Sequence, residues 1–161
     1  MSNAVANPYL RTKIMTASSE ELRLMLYEGA IKFTHQGIAA IEASEFENSY
    51  NSLMRAQKIV LELSTSLNFD IAPELCDKLS ALYTYIYRLL VDSNMKRSSI
   101  PAQEALELLE YERETWILLM KSAGEEKAAT GSAPTRPIPQ GYGIPATQPQ
   151  AGTYSGFSTN G

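Results

Sequence analysis

Glu20–Glu42 reads EELRLMLYEGAIKFTHQGIAAIE, a stretch whose apolar residues recur at helical spacing but occupy more than one face. At about 100° per residue, Leu22, Leu26, Ala30, Phe33, Gly37 and Ala40 form one stripe, and Leu24, Tyr27, Ile31, Thr34 and Ile38 form a second beside it. Glu21, Glu28, Lys32, His35 and Gln36 hold the remaining arc. The apolar arc spans about 200°, where a helix covering a single core needs roughly 100° or somewhat more. The segment is therefore a helix with two apolar faces, and the purpose of the second is the question the chain poses.

Its start is well marked. Ser18 is a good N-cap, and Glu21 three residues later completes a capping box. Three further helical segments follow and no convincing strand. The second runs from about Glu45 through FENSYNSLMRAQKIVLELSTSL to the neighbourhood of Asn68-Phe69-Asp70. The third opens at Pro73, a natural first helical position, and the fourth at Pro101, with Gly124 as its expected stop. Short loops between long helices force antiparallel neighbours. The expectation is an all-α fold: an elongated antiparallel four-helix bundle over residues 18–124, preceded by a segment 1–17 and followed by a disordered tail 125–161. In Gly131–Gly161 five of the 8 prolines and six of the 9 glycines gather around a single charge, Arg136, which leaves too little apolar surface to offset the entropy of ordering.

The surplus of apolar residues recurs. On the second helix Phe46, Tyr50, Leu53, Met54, Val60, Leu61 and Leu67 are the expected core, with Ile59 and Leu63 apart from it. On the third, Leu75, Leu79, Leu82, Ile86, Leu89 and Leu90 form the seam, and Cys76, Tyr83 and Tyr87 broaden one flank. Ala105, Leu109, Trp116 and Met120 are the expected core of the fourth. Two accounts fit. Either the bundle is irregular and its own helices bury both stripes, or an apolar groove runs along the surface and receives a partner chain. The groove candidates are Leu24, Tyr27, Ile31, Ile38, Ile59, Leu63, Tyr83 and Tyr87, with Tyr9 and Ile14 of the N-terminal segment as a self-capping pair.

Composition removes several function classes. The net charge of −4 over 161 residues argues against a nucleic-acid partner, and no run approaches the length of a membrane span. MSNAVANPYLRTK carries no apolar core of a secretory signal, and one cysteine, Cys76, fits a reducing compartment. His35 is the only histidine and falls on a polar face, which excludes paired Glu-x-x-His metal ligands and leaves no triad to assemble. Glycine-rich phosphate loops are absent, so no cofactor, metal site or catalytic group is expected. Glu112 falls near the middle of the apolar arc of the last helix with Arg113 beside it, either as a structural polar pair or as groups that orient a partner.

Several blocks in order resemble one family. NPYLRTKIMTASSEELRLMLYEGAIKF is similar to the opening of the flagellin-specific export chaperones, the FliS family, through Tyr9, Ile14, Thr16-Ala17-Ser18, Glu21-Leu22 and Met25 to Ala30. RAQKIVLELSTSLNFD from Arg55, LYTYIYRLLVDSNMK from Leu82 and ERETW from Glu112 resemble its later blocks, so the likeness spans about residues 8–122. Ser19 stands where that family commonly has proline, Glu112 where it commonly has leucine, and the tail is longer than the pattern implies. The resemblance implies a cytoplasmic, non-enzymatic chaperone. Such a chaperone binds the disordered C-terminal segment of flagellin, prevents premature polymerisation and delivers it to the flagellar type III export gate. Its N-terminal segment folds over the binding surface until a partner displaces it. The alternative from another class is a self-associating structural four-helix module. Sedimentation of the isolated chain separates the two. A groove covered in cis gives a monomer or weak homodimer, and an apolar interface between copies gives a stable dimer at micromolar concentration.

Overall fold

The computed structural model describes residues 8–131, and all regular secondary structure among them is helical. The elements are α1 (Pro8–Thr16), α2 (Ser19–Glu42), α3 (Phe46–Thr65), α4 (Pro73–Lys96) and α5 (Ser99–Gly131). Helix α2 packs against α3 and α5, and α4 packs against the same two, so α2 to α5 close into a ring of antiparallel neighbours. This is the expected four-helix bundle.

The N-terminus of α2 carries the capping box its sequence announces. The Glu21 amide donates to the Ser18 hydroxyl oxygen at 3.2 Å, and the Ser18 amide donates to the Glu21 carboxylate at 3.0 Å. Pro73 occupies the first turn of α4. Ser44 and Arg97, both at positive φ (58° and 50°), close the tight turns after α2 and α4. The Arg97 guanidinium then lies over the Phe46 ring, 4.7 Å from its centre, tying these two turns together at one end of the bundle.

Two boundaries differ from the sequence reading. Residues 8–16 of the N-terminal segment form a short helix. Pro8 sits at its first position, and the Thr12 and Thr16 hydroxyls donate back to the Pro8 and Thr12 carbonyls. At the other end α5 runs through Gly124 to Gly131, so residues 125–131 are helix rather than tail. A single glycine costs a helix only about 1 kcal/mol relative to alanine, and the good helix formers around it, Ala123, Glu125, Glu126, Lys127 and Ala128, outweigh that. The remainder of the expected tail, 132–161, and residues 1–7 lie outside the described residues.

The core contains Tyr27, Ala30, Ile38 and Ile41 from α2, Leu53, Ala56, Val60 and Leu63 from α3, Tyr83, Ile86, Leu89 and Leu90 from α4, and Ala102, Ala105 and Leu109 from α5. The buried line of α2 therefore runs between the two stripes seen in the sequence. Leu26 and Phe33 flank it on one side and Leu24 and Ile31 on the other, all partly exposed. The breadth of the apolar arc follows from α2 touching two neighbours. Most of the surplus on this helix is buried by the bundle itself, which corrects the expectation of a groove along the whole second stripe. Four residues expected in the core are exposed: Leu22, Tyr50, Leu61 and Leu75, with Tyr50 and Leu61 each exposed by 54%.

Gly37 sets the approach of α2 to α3. A Cβ added there stands 2.6 Å from Leu53 Cγ, whereas one at Gly124 meets nothing within 4 Å. Gly37→Val is expected to lower stability by about 1–3 kcal/mol through overpacking. Gly124→Ala is expected to raise it by up to about 1 kcal/mol. Urea denaturation followed by circular dichroism reads both signs.

Candidate functional site

The most apolar opening in the bundle lies at the end where α2 begins, α3 finishes, α4 begins and α5 passes by. It encloses about 460 Å³ and is lined by Leu67, Ile71, Leu75, Leu79, Trp116 and Leu119, with Arg23, Tyr27 and Glu112 among the polar contributors. Ile71, Leu75 and Leu119 are all more than half exposed, so the apolar lining faces solvent. At its base Arg23 donates to the Tyr83 hydroxyl at 2.8 Å and to the Ser66 hydroxyl at 3.1 Å. The Tyr27 and Tyr83 hydroxyls meet at 2.5 Å. The same guanidinium lies within 6 Å of the ring centres of Tyr27, Tyr83 and Trp116, and the Trp116 indole N–H donates to the Glu20 carbonyl at 3.0 Å. Burial, then the bond with Tyr27, pushes the Tyr83 hydroxyl well above the ordinary tyrosine range, so it stays neutral.

Two shallower grooves run along the sides. One, between α3 and α4, encloses about 140 Å³ and is lined by Val60, Leu61, Ser64, Tyr83, Thr84 and Tyr87. The other, between α2 and α5, encloses about 600 Å³ and mixes Ile31 and Tyr111 with Glu28, Lys32, Glu110, Arg113 and Glu114. Arg113 reaches Glu28 at 3.6 Å across the second groove and its chain neighbour Glu114 at 3.3 Å.

The residues singled out in the sequence separate into two groups. Tyr27, Ile38, Leu63 and Tyr83 are buried in the core, which corrects their assignment as open groove residues; Leu63 is 0% exposed. The physical reason is rotation: α2, α3 and α4 each turn toward two neighbours, so their supposed flanks become centre lines. Tyr27 and Tyr83 still form floors, of the end cleft and of the α3/α4 groove. Leu24, Ile31 and Ile59 are partly exposed and Tyr87 is exposed at the rim. Ile31 and Tyr87 line different grooves, so the set does not converge on one site. Tyr9 and Ile14 lie on α1, which contributes no buried residue; Tyr9 is 74% exposed, so the expected cap is not buried against the bundle.

Sequence reasoning missed Arg23, Ile71, Leu75, Leu119 and Leu61 as surface-forming residues. A signal for one pair was present: Leu118 and Leu119 are adjacent, so a single helix cannot bury both on one line, and both are exposed. Among the described residues no cluster of His, Cys, Asp and Glu has the make-up of a metal site, and no helix is long and apolar enough to cross a membrane. His35 is exposed beside Glu110 at 3.5 Å, and the buried Cys76 thiol donates to the Asn68 carbonyl at 3.3 Å.

Comparison with known proteins adds an independent line. A family profile described as "Flagellar protein FliS" matches residues 1–123. The chain is similar to the flagellar secretion chaperone FliS of Bacillus subtilis (strain 168), 34% identical over 131 residues that cover 80% of this chain and 97% of that protein. It is 31% identical over 115 residues to the protein of the same name in Escherichia coli (strain K12), covering 67% of this chain and 79% of that one. With the Campylobacter jejuni protein so named (strain 81116) the figures are 27% over 115 residues, 71% and 90%.

Glu112 gives the end cleft a measurable cost. Burial raises its pKa above the ordinary carboxylate value, against a smaller opposing effect of Arg23. The folded protein therefore holds this proton more tightly than the unfolded chain does. Stability from this group is present at low pH and is lost as pH rises through the window between the unfolded and the raised folded pKa. Glu112→Leu is expected to stabilise the fold at pH 7, and the gain is expected to shrink toward pH 4. Solvent screening of this half-exposed group keeps the effect below about 1 kcal/mol. Thermal unfolding of both proteins across that range checks the sign.

Proposed function

The chain belongs to the FliS family of flagellar secretion chaperones, and from that premise we propose that it binds the C-terminal segment of flagellin in its cytoplasm, holds it unpolymerised and passes it to the flagellar export gate. The reading needs no catalytic group and no cofactor. The observation that carries it is the end cleft, whose apolar walls Ile71, Leu75 and Leu119 stand open to solvent on a helical body. Open apolar surface of this kind marks a place for another chain. A segment that is disordered alone and helical when bound can lay its apolar residues into such a cleft and continue along the side grooves.

Within this reading Ile31, Leu61 and Tyr87 extend the contact along the flanks, with Leu24 and Ile59 at their margins. Tyr27, Ile38, Leu63 and Tyr83 support the surface from beneath. Helix α1 joins α2 through Ala17 and Ser18 at the cleft end of the bundle, which suits Tyr9 and Ile14 to a reversible cover that a partner displaces.

Calorimetric titration with flagellin is expected to show binding that vanishes when the flagellin C-terminal segment is removed; equal binding by truncated flagellin would overturn the proposal. Leu119→Asp and Ile31→Asp are each expected to weaken binding by about tenfold or more while leaving the circular dichroism spectrum intact. Leu63→Asp buries a charge in the core, and its expected outcome is an unfolded chain rather than a selective binding loss.

A further inference from the structure

Glu112 reaches the end cleft from α5, and its carboxylate is half-buried beside Trp116, Leu75 and Leu119. Among the described residues no donor stands within hydrogen-bond or ion-pair distance of it. The nearby guanidinium of Arg23 is engaged by Tyr83, Ser66 and three aromatic rings. The neighbouring Arg113 is turned to Glu28 and Glu114 on the other side of the helix. Among the residues that line the cleft Glu112 is the one carboxylate and Arg23 the one base, and the Arg23 N–H groups already hold Tyr83 and Ser66. A partly desolvated carboxylate without a donor is costly, and a charge-assisted hydrogen bond removes that cost.

We propose that Glu112 is a specificity-determining residue of the end cleft. It receives a lysine or arginine side chain of the bound segment while the apolar neighbours of that side chain pack against Leu75, Leu79, Trp116 and Leu119. The inference rests on the reading of the cleft as the flagellin site.

The test titrates the C-terminal segment of the cognate flagellin into the full-length wild-type chain, E112Q and E112L by calorimetry, and repeats it with each basic residue of the segment changed singly to Gln. E112Q and E112L are expected to bind about tenfold more weakly. One segment substitution is expected to cause the same loss against the wild-type chain and no further loss against E112Q. E112L is also expected to bind more weakly while unfolding at a higher temperature, a combination that a purely structural role for Glu112 does not produce. Affinity of E112Q within about twofold of wild type, or losses that add in full for every basic residue, overturns the inference and leaves the chaperone reading standing. A rise in affinity on E112Q assigns the carboxylate to an internal cation such as Arg11 or Lys13 and also overturns it. Absence of binding by the wild-type chain overturns both.

Discussion

Arg23 is the group on which the cleft end of the molecule depends. It stands on α2, donates to Ser66 just past the end of α3 and to Tyr83 of α4, and lies against the Trp116 ring of α5. One side chain thus touches all four helices of the ring where the cleft opens. A guanidinium tolerates partial burial here because its planar face meets aromatic rings while its edge N–H groups find hydroxyl oxygens. Without it the Tyr27 and Tyr83 hydroxyls would be left to satisfy each other beneath an apolar opening. The opposite end is held by a simpler clasp, the Arg97 guanidinium over Phe46. The bundle is accordingly clasped at both ends.

The position of those openings follows from the size of the core residues. Ala30, Ala56, Ala102 and Ala105 are fully buried, and Gly37 lies against Leu53. Small residues along the centre lines bring the helices close together. Between them Tyr27, Leu53, Leu63, Tyr83, Ile86, Leu90 and Leu109 fill the interior, and other large side chains fall on the seams between neighbours, where they are only partly covered. Leu61 and Tyr87 flank the α3/α4 seam, and Ile31 and Tyr111 flank the α2/α5 seam. At the cleft end α5 passes beyond the shorter helices, with Lys121 to Gly131 all exposed, and Leu118 and Leu119 just before that overhang lack a full set of neighbours. Close packing inside and apolar rims outside are therefore one property of the sequence.

That connection explains what could be read in advance. Helix existence, the capping box at Ser18, the Pro73 start and the antiparallel ring are local matters, set by spacing, caps and loop length, and the structure shows them. The rotation of each helix about its axis is not local. For α2 the sequence offered two stripes some tens of degrees apart, and only the presence of α3 on one side and α5 on the other placed the buried line between them. An error of that size exchanges core for rim, which is why Leu63 and Tyr83 proved internal while Leu61 and Leu75 proved external. Arg23 was invisible for a different reason. Its importance lies in three partners distant in sequence, Ser66, Tyr83 and Trp116, and no spacing within α2 announces them. Glu112 was legible as a carboxylate on an apolar arc, but its lack of a partner is a property of the assembled cleft.

The distribution of open apolar surface constrains what occupies it. A rigid globular partner would need one continuous, complementary face, yet the cleft and the two grooves lie on different sides of the ring. A long segment that orders on binding meets no such demand, because it can turn from one opening to the next and draw a modest contribution from each. The ordering entropy it loses offsets part of the apolar gain, and this suits a carrier, which has to release its cargo. Contacts that are individually weak and spatially separate can also be surrendered in sequence, from one end, as the segment is drawn away. A single deep pocket of equal total affinity would have to be vacated in one step, so under the proposed function the divided surface suits capture that is firm overall and release that is gradual.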